Sequence, residues 1–151
     1  MKRHSEFFSM TTVILFGATG KTGLALSKLI IKNDMELFAA ARTETDRKYL
    51  ESLGANTFIA DALHPNQILE SMRNVNGRSI VISLVGGSSK GTGVRADYLG
   101  NKNIIEAAVT SGLKRFIFVT SIGSGESRHE LPDVVKPFLG PIAAEKTKAE
   151  N

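Results

Sequence analysis

Short, mostly apolar runs recur along the chain, and each is followed by a stretch whose apolar positions fall three or four apart. Val13-Ile14-Leu15-Phe16 closes on a glycine and reads as a strand buried on both faces. Leu37–Ala41, Thr57–Ala60, Ser79–Val85 and Phe116–Val119 repeat that signature, predicting five strands. Helical spacing fills the intervals. Thr22–Lys32 carries Leu26, Leu29 and Ile30 on one predicted face. Asp46–Leu53 groups Tyr49, Leu50 and Leu53 ahead of Gly54, a C-terminal stop. A third helix starts at Pro65, holds Ile68, Leu69, Met72 and Val75, and is ended by Asn76-Gly77. Val94–Thr110 is the longest predicted helix, with Tyr98, Ile104, Ile105 and Ala108 in one stripe. Residues 122–140 read as a long loop punctuated by glycine and proline, and Pro141 opens a last helix running to Asn151.

Strands joined by helical crossovers imply an α/β, doubly wound parallel sheet, because right-handed crossovers leave few other topologies. The expected order is 3-2-1-4-5. Met10 directly precedes the first strand, so residues 1–10 are expected to be a flexible extension and 11–151 a single domain. The last helix reaches Lys-Ala-Glu-Asn without a stop signal and no sixth strand follows, so the chain reads as C-terminally truncated. A fifth strand with a bare edge invites pairing with a second copy of the chain.

Composition narrows the classes of function. With 42% hydrophobic and 23% charged residues in 151, the chain is long enough to bury a real core. It contains no cysteine, which excludes disulfides, thiol nucleophiles and cysteine-held metals. The net charge of +4 is modest and lacks a dense basic run with interleaved aromatics, so no nucleic-acid partner is expected. The apolar runs are strand-sized, short of a membrane span, and the basic N-terminus lacks the apolar segment of a secretion signal. The expected location is the cytoplasm. No cluster of carboxylates or histidines has metal-ligand spacing, and no metal is expected.

The chemistry lies in Gly17-Ala18-Thr19-Gly20-Lys21-Thr22-Gly23, placed between the first strand and the first helix. In that context the first glycine makes a tight turn, the second lets a pyrophosphate approach the backbone, and the third allows helix and strand to pack closely. The N–H groups and dipole of the helix then face the phosphates. Gly20-Lys21-Thr22 also resembles the end of a Walker A loop, but that loop needs glycine where Leu15 stands, inside the strand. The second strand ends Ala39-Ala40-Ala41-Arg42, without the acidic residue that takes the ribose hydroxyls of NAD. An arginine there suits a 2′-phosphate, so NADP(H) is the expected cofactor in preference to NAD.

Together with Asp61 after the third strand, the run Asn103-Ile104-Ile105-Glu106-Ala107-Ala108 and Lys114-Arg115-Phe116-Ile117-Phe118-Val119-Thr120-Ser121, this motif resembles the atypical short-chain dehydrogenase/reductases. The nearest subgroup is the NmrA-like and flavin/biliverdin-reductase-like NAD(P)H-binding proteins, which have a Rossmann-type fold. The resemblance implies a pyrophosphate loop of Gly17, Thr19, Gly20, Lys21, Thr22 and Gly23. It also implies that Arg42 holds the 2′-phosphate and that Asp61 and Ala62 flank adenine. Leu84, Val85 and Gly86 would pass under the adenine-side ribose, and Thr120 and Ser121 would face nicotinamide and substrate. Lys146 matches the lysine of the family's Tyr-x-x-x-Lys pair, but the tyrosine position falls on Ile142; the tyrosines of the chain are Tyr49 and Tyr98. The candidate catalytic residues are therefore Ser121 and Lys146, without the usual general acid. Losing a positioned acid forfeits about 10²–10⁴-fold in rate. The expectation is an NADPH-dependent reductase of an easily reduced acceptor such as a quinone or flavin, or else a non-catalytic NAD(P)-sensing regulator. His129 is the histidine that could replace the acid, and His64 before Pro65 reads as a helix-start residue.

Overall fold

The computed structural model describes residues 11–73, 75, 78–87 and 93–151. The expected extension 1–10 and the Asn76-Gly77 stop lie outside them. Among the described residues β1 (Thr12–Phe16), β2 (Glu36–Ala41), β3 (Asn56–Ile59), β4 (Ile80–Ser83) and β5 (Arg115–Phe118) form one sheet in the order β3-β2-β1-β4-β5, as expected. Every pairing is parallel: Val13 lies opposite Leu37 on one side and Ile80 on the other. Such a sheet buries both faces. Alternate residues of β1 accordingly feed two separate cores. Ile14 and Phe16 pack with Ile68, Met72 and Ile104 of the helices α3 (Pro65–Met72) and α4 (Leu99–Thr110). Val13 and Leu15 pack with Ile30 and Leu50 of α1 (Lys21–Lys32) and α2 (Glu44–Ser52).

Local chemistry explains the boundaries that were legible and those that were not. Thr43 caps α2, its hydroxyl accepting from the Asp46 amide, and Gly54 ends that helix at φ +99°, where a side chain would be strained. Pro65 sits in the first turn of α3, where its missing N–H costs nothing. Two stripe residues point outward: Leu29 is 56% exposed and Tyr49 is 45% exposed. In α1 the sheet-facing row is instead Gly23, Ser27 and Ile30, small at the end where helix and strand approach most closely.

Two helices start elsewhere than the pattern predicts. The helix expected from Val94 begins at Leu99, because residues 93–98 fold back in turns that bring Arg95 and Asp97 against Gly87. The last helix, α5 (Lys136–Glu150), begins five residues before Pro141 and is the longest helix among the described residues. Pro137 occupies its first turn, and Pro141 forgoes only the bond to the carbonyl of residue 137. The expected loop 122–140 thus contains a 3₁₀ turn, Gly125–His129, and the first turn of α5.

Candidate dinucleotide-binding site

The crossovers reverse direction between β1 and β4, and the carboxyl ends of these strands open a crevice there, the usual ligand site of open α/β sheets. The three glycines of the loop are not equivalent. Gly17 has φ +81°, and a Cβ on it would lie 2.9 Å from the Leu84 carbonyl carbon. A Cβ on Gly23 would lie 2.1 Å from the Gly17 carbonyl oxygen and 2.8 Å from Ala18. Both are demanded by the protein's own backbone. Gly20 is not: its φ is −69°, and a Cβ there would meet only the Gly17 oxygen, at 3.6 Å. Gly20, Lys21 and Thr22 are exposed, and Gly20 stands at the N-cap of α1, which has no side-chain cap and no acidic residue in its first turn. Its leading N–H groups therefore face the crevice without a protein acceptor from a cap.

Two connected cavities lie along this edge. The first, about 460 Å³, runs from the glycine loop past Arg42, Asp61 and Ala62 to Leu84, Val85 and Gly86. Arg42 stands at the end of β2, exposed, with no ion-pair or hydrogen-bond partner among the described residues. Asp61 is partly engaged by its own chain: its Oδ1 accepts the Leu63 amide at 2.9 Å, shaping the turn into α3, while its residue lines the cavity. Ala62 is buried, and its carbonyl accepts from Asn103. The second cavity, about 350 Å³, runs from Gly20–Gly23 past Gly86 and Gly87 to Val119, Thr120, Ile142 and Lys146.

Lys146 is 6% exposed. Its Nζ donates to the Val85 carbonyl at 3.0 Å and the Val119 carbonyl at 3.1 Å, and it stands 5.0 Å above the Phe118 ring. One ammonium thus ties α5 to the ends of β4 and β5. Burial lowers its pKa below the ordinary lysine value, with the charges of Asp97 and Glu150 pulling the other way. Ile142, at the tyrosine position, lines the same cavity one helical turn earlier. Ser121 lines neither cavity; its hydroxyl lies 3.2 Å from that of buried Ser124. His129 is exposed and accepts from Arg128, away from both cavities, and His64 heads α3.

Sequence reasoning missed the buried polar frame that holds residues 84–87. Ser83 Oγ donates to Asn101 Oδ1 at 2.6 Å, both residues being fully buried. Asn101 Nδ2 donates to the carbonyls of Asp97 (2.8 Å) and Val85 (3.1 Å). Asp97, 1% exposed, accepts the Gly87 amide at 2.8 Å and Arg95 Nε at 2.9 Å. The available signal was Asn101, a polar residue three before Ile104 on the buried stripe of α4.

A nucleotide-sized crevice at the switch point, a glycine turn at a helix N-terminus and a parallel sheet define a dinucleotide-binding domain of the Rossmann type. Residues 17–151 match the NAD(P)H-binding family, and the chain belongs to it. It is 30% identical over 130 residues to YhfK of Bacillus subtilis (strain 168), named as an uncharacterised sugar epimerase, covering 83% of this chain and 59% of that protein. It is 26% identical to the chloroplastic protein TIC 62 of Arabidopsis thaliana, covering 92% of this chain and 24% of the other. Among solved structures, the anaerobillin reductase ChuY of Escherichia coli O157:H7 superposes with a TM-score of 0.82 at 30% identity, over 93% of this chain and 65% of that one. The chain therefore spans less than two-thirds of the length of these relatives. No helix among the described residues is long and apolar enough to cross a membrane.

Proposed function

We propose that this chain is the cofactor-binding part of an NADPH-dependent reductase acting on an easily reduced, conjugated acceptor such as a quinone or flavin. The observation that carries the cofactor reading is Gly20. The fold does not require a glycine there, yet the missing side chain leaves the N-terminus of α1 open to a diphosphate. Arg42, exposed beside the first cavity with no ion-pair partner among the described residues, supports recognition of a 2′-phosphate and hence NADPH over NADH. When bound, a reduced nicotinamide supplies a hydride; the residues of this chain supply position and surroundings. Gly17–Gly23 hold the phosphates, and Asp61 and Ala62 form the adenine wall. Leu84, Val85 and Gly86 lie under the adjoining ribose, and Thr120 stands at the far end of the second cavity. Ile142 gives that end an apolar wall rather than a proton donor, so an acceptor whose reduced form is stabilised by its own conjugation fits better than a simple ketone. Ser121, three residues beyond the end of β5, is proposed to orient the acceptor.

A second reading, a non-catalytic NAD(P) sensor, rests on Lys146. Its ammonium is committed to two backbone carbonyls, as a structural tie would be. NADPH oxidation measured against a quinone, a flavin and a dicarbonyl separates the two. Turnover with quinone or flavin and little with the dicarbonyl supports the reductase. Tight NADPH binding without turnover of any acceptor supports the sensor.

A further inference from the structure

Arg95 has no place in the family motifs, yet it stands where both cavities meet: it lines the adenine-side cavity and the β4–β5-side cavity alike, together with Gly17, Gly20 and Gly87. Its placement is built rather than incidental. Nε donates to Asp97 Oδ2 at 2.9 Å and Nη2 to the Gly87 carbonyl at 3.3 Å, while the Gly87 amide donates to that same Asp97 oxygen at 2.8 Å. Gly87 has no side chain because Arg95 fills the space: a Cβ there would lie 2.9 Å from Arg95 Cζ and 2.7 Å from Asp97 Oδ2. A carboxylate that is 1% exposed is costly to bury unless it is paired, and here it is spent on aiming one guanidinium at the crevice. The Arg95 side chain remains one-third exposed and lines both cavities.

We propose that Arg95 is a second anchor for the diphosphate of the bound dinucleotide, approaching it from the β4 side while the N-terminus of α1 approaches from the β1 side. The proposal rests on the dinucleotide reading above and adds a residue to it. A planar guanidinium fixed by a buried carboxylate offers a preorganised fork, and a charge-assisted bond to a phosphate oxygen is among the stronger polar contacts available. Because the diphosphate is common to NADPH, NADH and ADP-ribose, Arg95 strengthens the binding of all three. In this it differs from Arg42, whose effect is confined to NADPH.

The test measures dissociation constants of NADPH, NADH and ADP-ribose by fluorescence and calorimetry for the wild type and three variants, beside their thermal unfolding. Arg95→Gln weakens all three ligands about tenfold, equivalent to about 1.4 kcal/mol, and flattens the salt dependence of binding. It also leaves the buried Asp97 carboxylate with the Gly87 amide but without its cation, so lost stability alone could mimic the effect. The double variant Arg95→Gln/Asp97→Asn removes both charges and regains stability; it still binds all three ligands about tenfold more weakly. Arg95→Lys keeps the charge without the fork and falls between. Wild-type affinity in the stable double variant overturns the proposal and leaves Arg95 as a clasp on the 84–87 turn. A loss confined to NADPH also overturns it, by moving Arg95 to the 2′-phosphate. If the wild type binds none of the three ligands, the dinucleotide reading itself fails, and the assignment of Arg95 falls with it.

Discussion

Alanine at each glycine of the 17–23 loop separates what the fold needs from what a ligand needs. At Gly23 the new methyl carbon would stand 2.1 Å from the Gly17 oxygen and 2.8 Å from two Ala18 backbone atoms, none of which can rotate away. Helix and turn must separate, at a cost of about 3 kcal/mol or more, a large share of the stability of a small domain. At Gly17 the contact with Leu84 at 2.9 Å adds to about 1–2 kcal/mol for holding alanine at φ +81°. At Gly20 the nearest atom is 3.6 Å away and the backbone is extended, so only the weak capping preference for glycine opposes the loss of unfolded-chain entropy. The two nearly cancel, within about 0.5 kcal/mol. Urea unfolding therefore shows Gly20→Ala close to wild type and Gly23→Ala severely destabilised. NADPH titration shows Gly20→Ala weakened by about tenfold or more, because the methyl stands where the diphosphate approaches. A folded Gly20→Ala protein that binds NADPH as well as the wild type would refute the argument. So would a loss of stability at Gly20 as large as at Gly23.

Three further outcomes are expected. Arg42→Ala weakens NADPH about tenfold and leaves NADH unchanged in parallel calorimetric titrations; equal losses for both would remove the 2′-phosphate assignment. Asn101→Leu, which leaves the Ser83 hydroxyl without its acceptor and takes one donor each from the Val85 and Asp97 carbonyls, lowers stability by about 2–3 kcal/mol in denaturant unfolding, and a change under 1 kcal/mol would show the frame to be dispensable. Lys146 has a lowered folded-state pKa, so between that value and the ordinary value near 10.5 the unfolded chain binds more protons. Its contribution to stability therefore rises with pH through that window, and Lys146→Met abolishes the rise while costing stability at neutral pH.

The sheet order was legible because each strand is an apolar run with its own turn signal, and parallel connections admit few arrangements. Helix starts were less legible, since Val94 and Pro141 obey general rules that tertiary contacts override: Asp97 is pulled onto Gly87 before a helix can begin, and Pro137 already opens α5. The glycine loop could be read because glycine spacing is local. The Ser83–Asn101–Asp97–Arg95 frame could not, because its members meet only when β4 and α4 are packed, and each one alone resembles an ordinary polar residue. Lys146 matched a family position in sequence, while its two carbonyl acceptors, Val85 and Val119, lie just past the ends of different strands and far from it along the chain.

The central place of β1 has a consequence for how the chain is made. Its partner on one side, β2, is synthesised soon after it, with β3 following at β2's far edge. Its partner on the other side is β4, and Val13 waits for Ile80 until three helices and two strands have left the ribosome. During that interval the central strand has one row of backbone donors and acceptors bare, and Ile14 and Phe16 lack Val81 and Ile104 from their core. A nascent chain halted before β4 thus carries a bare central strand edge, open to pairing with another chain.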